Sequence, residues 1–291
     1  MATEKLDPTT GRTTTGHEWN GIEELNTPVP RIVFFFLAVT ALFAVGYWIL
    51  MPAWPTGVSF TKGMLGIDQR AVVTQQVRDA AAERAAWTDR IGRTSLEATA
   101  RDPELMRYVR ETGRTLFLDN CSACHGTKGT GGPGFPNLAA RAWLWGGTPE
   151  TIVETITKGI NSTNDDTRVS QMLAFGRDGV LTGEQIRSVA AFVRSLSGQA
   201  LDDGEKAMLP AGRKLFADNC ASCHGDTGRG KHEMGAPDLA DSVWIYGGDR
   251  QSVFDTIYAG RQGHMPHWSD RLSPTDIRIL ALYVGTLGDA K

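Results

Sequence analysis

Apolar positions along the chain fall into distinct rhythms. Residues 32–51, IVFFFLAVTALFAVGYWILM, form an uncharged run of 20 positions, the length at which an α-helix crosses hydrocarbon. Beyond it the apolar residues thin out and recur at helical intervals. Val73, Val77, Ala80, Arg84 and Trp87 share one face of a stretch rich in Ala, Arg, Gln and Glu (69–91), which predicts an amphipathic helix. Two later sets, Ile186, Val189, Ala190, Val193 and Leu196, then Ile277, Leu280, Ala281, Val284 and Leu287, predict two helices that each bury one face. Their starts are written in polar residues. Thr182 with Gln185 fits a capping box, and Ser273 before Pro274, like Asp102 before Pro103, puts a cap ahead of a proline in the first turn. The fold class predicted is all-α.

The uncharged run reads as an anchor that is retained. A cleaved signal sequence has a short basic start, whereas 31 residues with five acidic and three basic side chains precede this run. Pro-Ala-Trp-Pro stands where small cleavage-site residues belong. Tyr47, Trp48 and Trp54 gather at its C-terminal end as an interfacial aromatic belt does. Arg31 is balanced by Lys62 and Arg70 on the other side, so flanking charge orients the span only weakly.

The longest-range pattern is a repeat. GRTLFLDNC (113–121) returns as GRKLFADNC (212–220), PNLAARAWLWGG (136–147) as PDLADSVWIYGG (237–248), and LTGEQIRSVAAFVRSL (181–196) as LSPTDIRILALYVGTL (272–287). The first copy is longer after Gly159, where it carries INSTNDDTRV. Such self-similarity predicts two copies of one domain. The expected organisation is a leader (1–31), a transmembrane helix (32–51), a helical linker (52–112), a first domain (113–198), a connector (199–211) and a second domain (212–291).

The chemistry sits in the repeat. The chain has four cysteines, and all of them lie in NCSACHG (120–126) and NCASCHG (219–225). Cys121, Cys124 and His125, then Cys220, Cys223 and His224, spell Cys-x-x-Cys-His twice, the signature of covalent c-type haem. Two thiols add across the two vinyl groups of one haem, and the adjacent imidazole becomes the proximal iron ligand. A thioredoxin-like site has no need of the histidine, a zinc site draws four ligands from paired elements, and two disulfides would suit a smaller scaffold. The cofactor expected is two covalently bound haems c.

The sixth ligand decides whether such an iron transfers electrons or binds substrate. In the first copy Met172 is the only methionine. In the second, Met265 in GHMPHW occupies the matching place ahead of the closing helix, with Met208, Met234, His232, His264 and His267 as rivals. His/Met ligation fills both axial positions and gives a reversible one-electron centre. The expected metal ligands are therefore His125, Met172, His224 and Met265. A formal net charge of −3, with basic and acidic residues interspersed, leaves no basic footprint for nucleic acid. No catalytic residue of any other chemistry stands out.

The leader HEWNGIEELNTPVPR (17–31), the anchor, the PAWP exit, the linker helix and the PNL…WLWGG and PDL…WIYGG domains together resemble the dihaem subunit of cbb3-type cytochrome c oxidases, from about His17 to the C-terminus. By composition alone the leader passes as a disordered tail; the resemblance implies that it contacts the catalytic subunit. It further implies two tandem class I cytochrome c domains, with His125 and Met172 on one haem and His224 and Met265 on the other. Pro136 and Pro237 match the proline whose carbonyl orients the proximal histidine. The implied role is to take electrons from a cytochrome c donor and pass them, through a monohaem cytochrome c subunit, to the haem-copper subunit that reduces oxygen and pumps protons. The implied location is the bacterial inner membrane, crossed once, with the N-terminus cytoplasmic and the haem domains periplasmic. The family usually has proline after the first axial methionine, where this chain has Leu173. A free-standing membrane cytochrome and a dihaem peroxidase are the alternative readings.

Overall fold

Asn20 and Gly21, both at positive φ (52° and 83°), turn the leader back on itself. Two consecutive left-handed residues make the tight turn whose twist matches antiparallel strands. They join β1 (Thr14–Trp19) to β2 (Ile22–Leu25) with Trp19 opposite Ile22. The leader is thus a hairpin, where composition suggests a disordered tail. The structure, a computed structural model, describes residues 5–289 and forms two units, residues 1–81 and 82–291.

In the first unit the apolar run forms α1 (Arg31–Leu50), one residue earlier than its sequence bounds. Its mean hydropathy is 2.4 and none of its residues is buried in protein, so it is long and apolar enough to cross a membrane once. The chain then folds back against the helix end, where the Met64 and Leu65 amides bond the carbonyls of Ile49 and Leu50 at 2.9 and 3.1 Å. Gly63 makes this possible. Its φ is +69°, and a Cβ there would lie 2.4 Å from the Leu50 carbonyl oxygen.

Helix α2 (Gln69–Arg93) crosses the boundary between the units, and its last turns open the second one. Trp87 and Ile91 pack with α3 (Leu96–Arg101) and α4 (Pro103–Asn120) in a core that contains Leu96, Leu105, Met106 and Val109. Asp102 caps α4 by accepting from the Glu104 and Leu105 amides, with Pro103 in the first turn as its sequence implies. A short α5 (Ser122–His125) follows, then α6 (Pro149–Lys158) and α7 (Gly183–Leu196). The second repeat supplies α8 (Asp203–Asn219), α9 (Ala221–His224), α10 (Arg250–Ala259) and α11 (Pro274–Thr286). The capping box of Thr182 and Gln185 is formed, and Ser273 caps α11.

The packing of these helices departs from the contiguous domains 113–198 and 212–291. The closing helix α7 of the first repeat lies on α8 and α10 of the second, while α11 lies on α4 and α6 of the first. One core joins Ile186, Val189, Ala190 and Val193 of α7 to Phe216, Val253 and Ile257; the other joins Ile277, Leu280, Ala281 and Val284 of α11 to Phe117, Ile152 and Ile156. The two repeats have exchanged closing helices. The connection explains why. Only residues 197–202 separate α7 from α8, and helices joined so closely fold back as an antiparallel pair.

A glycine sits at each of the two equivalent crossings. A Cβ on Gly113 of α4 would lie 2.6 Å from the Cβ of Tyr283, and one on Gly212 of α8 would lie 2.1 Å from the Ser188 carbonyl oxygen. One turn on, Phe117 meets Tyr283 with ring centroids 5.8 Å apart, and Phe216 meets Phe192 at 5.3 Å. Phe117, Phe216 and Phe192 are buried where the helices cross and Tyr283 is partly buried; each fully buried large side chain contributes about 1.5–3 kcal/mol.

Candidate haem centres

Each Cys-x-x-Cys-His segment continues the opening helix of its repeat around a corner. The Cys121 amide still bonds the Phe117 carbonyl at 2.8 Å, and the His125 amide then bonds the Cys121 carbonyl at 3.0 Å. This coil brings both sulfurs of a pair and the histidine to one end of the helix. The second repeat reproduces it, with Cys220 to Phe216 at 2.8 Å and His224 to Cys220 at 2.9 Å. All four thiols are free of disulfides. Burial, with a smaller push from the neighbouring Cys124 and Cys223, moves the Cys121 and Cys220 thiols up to about 11, so they rest protonated.

Both histidines are held in one orientation by a carbonyl. His125 Nδ1 lies 3.1 Å from the Pro136 oxygen, and His224 Nδ1 lies 3.1 Å from that of Pro237. A turn glycine makes the approach possible. Gly131 (φ +68°) and Gly230 (φ +75°) each donate to the carbonyl of the nearby histidine at 2.8 Å, and a Cβ on either would lie 2.8 Å from the proline oxygen. Burial lowers the pKa of both imidazoles against the opposing pull of that bond. A neutral ring with its proton on Nδ1 offers the Nε2 lone pair to a metal.

The methionines are placed by the exchanged helices. Met172 packs against the core that contains Cys220 and Ala221, and Met265 packs with Cys121, Leu138 and Trp143 against the core of α4, α6 and α11. The sets expected repeat by repeat, Met172 with His125 and Met265 with His224, therefore do not match the packing. Each methionine accompanies its own closing helix to the other repeat's haem motif. Of the rivals, Met234 is exposed, and His267 pairs with Asp270 at 3.1 Å.

The backbone locks this crossing in place. Met172 and Arg261 exchange amide hydrogen bonds at 2.8 and 3.1 Å, and Ile160 and Met265 do the same at 2.9 Å in both directions. Gly159 and Gly260 end α6 and α10 at positive φ, and a Cβ on either would meet the Met265 or Met172 carbonyl oxygen at 2.5 Å.

Asn161 is a residue that sequence reasoning missed. Its φ of 48° is one that asparagine tolerates better than most residues. Its side-chain amide donates to the Ser170 carbonyl at 2.8 Å and the Gly263 carbonyl at 2.7 Å, two positions before each methionine. The longer loop of the first repeat had signalled only a length difference; its asparagine ties both methionine segments.

Paired thiols, neutral oriented imidazoles and a thioether packed toward each motif fit a c-type haem in both places. Comparison with known proteins agrees. Residues 11–58 match the N-terminal domain of cytochrome oxidase-cbb3, FixP; residues 110–197 match cytochrome c; residues 207–284 match cytochrome c oxidase, cbb3-type, subunit III. The cbb3-type cytochrome c oxidase subunit FixP of Bradyrhizobium diazoefficiens is 47% identical over 289 residues, covering 99% of this chain and 98% of its own. The corresponding subunit CcoP of Cereibacter sphaeroides is 44% identical over 276 residues, 94% of each chain. Tandem cytochrome c domains carry covalently bound haem c, two in this chain. By sequence along its whole length, the chain belongs to the FixP/CcoP family of cbb3-type cytochrome c oxidase subunits.

Proposed function

We propose that this chain passes single electrons from a cytochrome c donor, by way of its two haem centres, toward the oxygen-reducing haem-copper subunit of a cbb3-type oxidase, with the monohaem cytochrome c subunit between. In this reading His125 and Met265 hold one iron, and His224 and Met172 hold the other. The observation that supports this pairing is the packing of each methionine beside the opposite repeat's cysteines, fixed by the reciprocal backbone bonds at Met172 and Met265. Bound there, a c-type haem supplies a one-electron ferric/ferrous couple.

The protein's own groups do the rest. The carbonyls of Pro136 and Pro237 keep the proton on Nδ1, so the imidazole coordinates without rotating. Thioethers favour the ferrous state and raise the potential. With histidine and methionine both engaged no position opens for substrate, so oxygen chemistry belongs to another subunit. In the membrane α1 is the anchor of the bacterial inner membrane protein, with residues 1–30 cytoplasmic and both haem centres periplasmic, the side on which c-type haem is attached.

The test is gentle purification from membranes by a tag on this chain, followed by pyridine haemochrome spectra and oxygen uptake. Haem b alongside haem c, with uptake driven by reduced cytochrome c, is the expected result. Haem c alone at two per chain, without uptake, would return the protein to the class of free-standing cytochromes.

A further inference from the structure

The apolar helix α1 has a second uncharged element attached to its C-terminal end. No charged residue occurs between Arg31 and Lys62, so the uncharged stretch outruns α1 by residues 51–61. Those residues do not trail away. The Thr61 amide bonds the Trp54 carbonyl at 2.9 Å, the Thr56 amide bonds the Ser59 carbonyl at 2.7 Å, and Pro55 bridges Phe60. They make a small hairpin around Gly57 (φ +92°) and Val58. Inside it the Thr61 hydroxyl accepts from the Ala53 and Trp54 amides at 3.4 and 3.1 Å.

The hairpin closes back on the helix. The last carbonyls of an α-helix have no partner within it, and inside hydrocarbon water cannot serve them. In this chain the Tyr47 carbonyl receives the Met51 amide at 2.8 Å, that of Ile49 receives Met64 at 2.9 Å, and that of Leu50 receives Leu65 at 3.1 Å. The end of α1 therefore meets most of its hydrogen-bonding needs from its own backbone, and Met64 and Leu65 stand level with its last turn.

The side chains left outside are the ones a loop in water avoids. Val58, at the tip, is fully exposed, and Trp54, Phe60, Met64 and Leu65 are exposed with it. The Trp54 ring lies 5.0 Å from that of Trp48 on α1, centroid to centroid, so the patch continues the apolar surface of the helix. A contiguous apolar patch marks a contact surface, and tryptophans gather where hydrocarbon meets headgroups. Lys62, the first charge after the run, is exposed beside it.

Resting on the reading of α1 as a membrane span, we infer that residues 51–65 form a foot embedded in lipid. Val58, Phe60, Met64 and Leu65 lie among the acyl chains just beneath the headgroups, Trp48 and Trp54 lie at the boundary, and Lys62 reaches the lipid phosphates. The foot sets how deeply α1 sits. Gly63, whose lack of a side chain admits the fold-back onto Leu50, is the residue on which it turns.

The test is electron spin echo envelope modulation on the complete haem-loaded chain, spin-labelled through Val58→Cys or Phe60→Cys, with Phe43→Cys as the reference inside the span. The chain is held in phosphatidylethanolamine and phosphatidylglycerol vesicles with both haems ferrous, once with deuterated acyl chains and once in deuterated water. Modulation from lipid several-fold stronger than that from water is expected at positions 58 and 60. Gly63→Ala combined with Val58→Cys is expected to shift the balance toward water. Water dominating at 58 and 60 while Phe43→Cys senses lipid would overturn the foot and leave the span intact. Modulation from neither source would also overturn it, because protein would then cover the loop. Water dominating at Phe43→Cys as well would overturn both.

Discussion

Met172 donates its amide hydrogen to the carbonyl of Arg261 at 2.8 Å and accepts that of Arg261 at 3.1 Å, so the methionine segment of the first repeat is bound to the loop that follows α10 of the second. Ile160 and Met265 form the mirror contact. These two pairings and the exchanged helices are the support for the proposed crossed ligation.

Removing two ligands together tests the crossing. His125→Ala with Met265→Ala strikes one iron and is expected to leave one normal His/Met haem per chain. His125→Ala with Met172→Ala strikes both and leaves none. The amplitude of the methionine-to-ferric-iron charge-transfer band, per chain, separates the cases; the reverse outcome would restore the repeat-by-repeat sets.

The helix crossings set a second expectation. Gly212→Ala places a methyl 2.1 Å from a backbone oxygen, so the helices themselves must part. A cost of about 1–3 kcal/mol is expected, with a lower Tm. Gly113→Ala meets the Tyr283 side chain instead and is expected to cost less, because a side chain yields more readily than a backbone. Equal melting temperatures for the two variants would refute the assigned geometry.

The joint between α7 and α8 carries a buried charge. Glu205, its side chain 7% exposed, bonds Arg194, accepts from Arg250 at 3.0 Å and takes the Asp202 amide at 3.2 Å. Burial works against ionisation of its carboxyl, but these partners outweigh it and the pKa is lowered. A lowered folded pKa gives stability that is full above the unfolded carboxylate value, about 4.3, and fades as pH falls through the folded one. Melting temperature is therefore expected to fall with acidification below about pH 4. Glu205→Gln leaves Arg194 buried without its counter-charge, a change that costs about 3–5 kcal/mol. It is also expected to flatten that acid limb; an unchanged limb would assign it to other carboxylates.

Asn161 gives the fourth. Asn161→Ala removes bonds to the segments before both methionines and puts alanine at φ 48°. Both haems are expected to lose part of the methionine charge-transfer band, and the two losses are expected together. Loss at one haem alone would show that the segments are held independently.

The sequence made the local chemistry plain. Asp102, Thr182 and Ser273 announced their helices because a cap is a short-range bond between a side chain and amides two or three residues away. Cys-x-x-Cys-His was equally legible, its spacing being fixed by one turn of coil. The exchange of α7 and α11 was not. Repeats that share Gly-x-x-x-Phe on the opening helix and the same apolar spacing on the closing helix offer each closing helix two acceptable partners. The choice falls to the six residues between Leu196 and Asp203, and a connector's length carries no hydrophobic signal. The leader was obscured differently, since Asn20-Gly21 is a hairpin signal set among polar residues that otherwise suggest disorder.

Exchange of the closing helices also removes a freedom that two domains on a tether would have. Tethered domains tumble, and an electron leaving one must wait for the other to swing near. In this chain the cores that hold Cys121 and Cys220 are completed only when the closing helix of the other repeat has arrived, so His125 and His224 acquire their separation in the act of folding. In the proposed relay, the interval between the two stations is therefore built in, and transfer across it would wait on no diffusion.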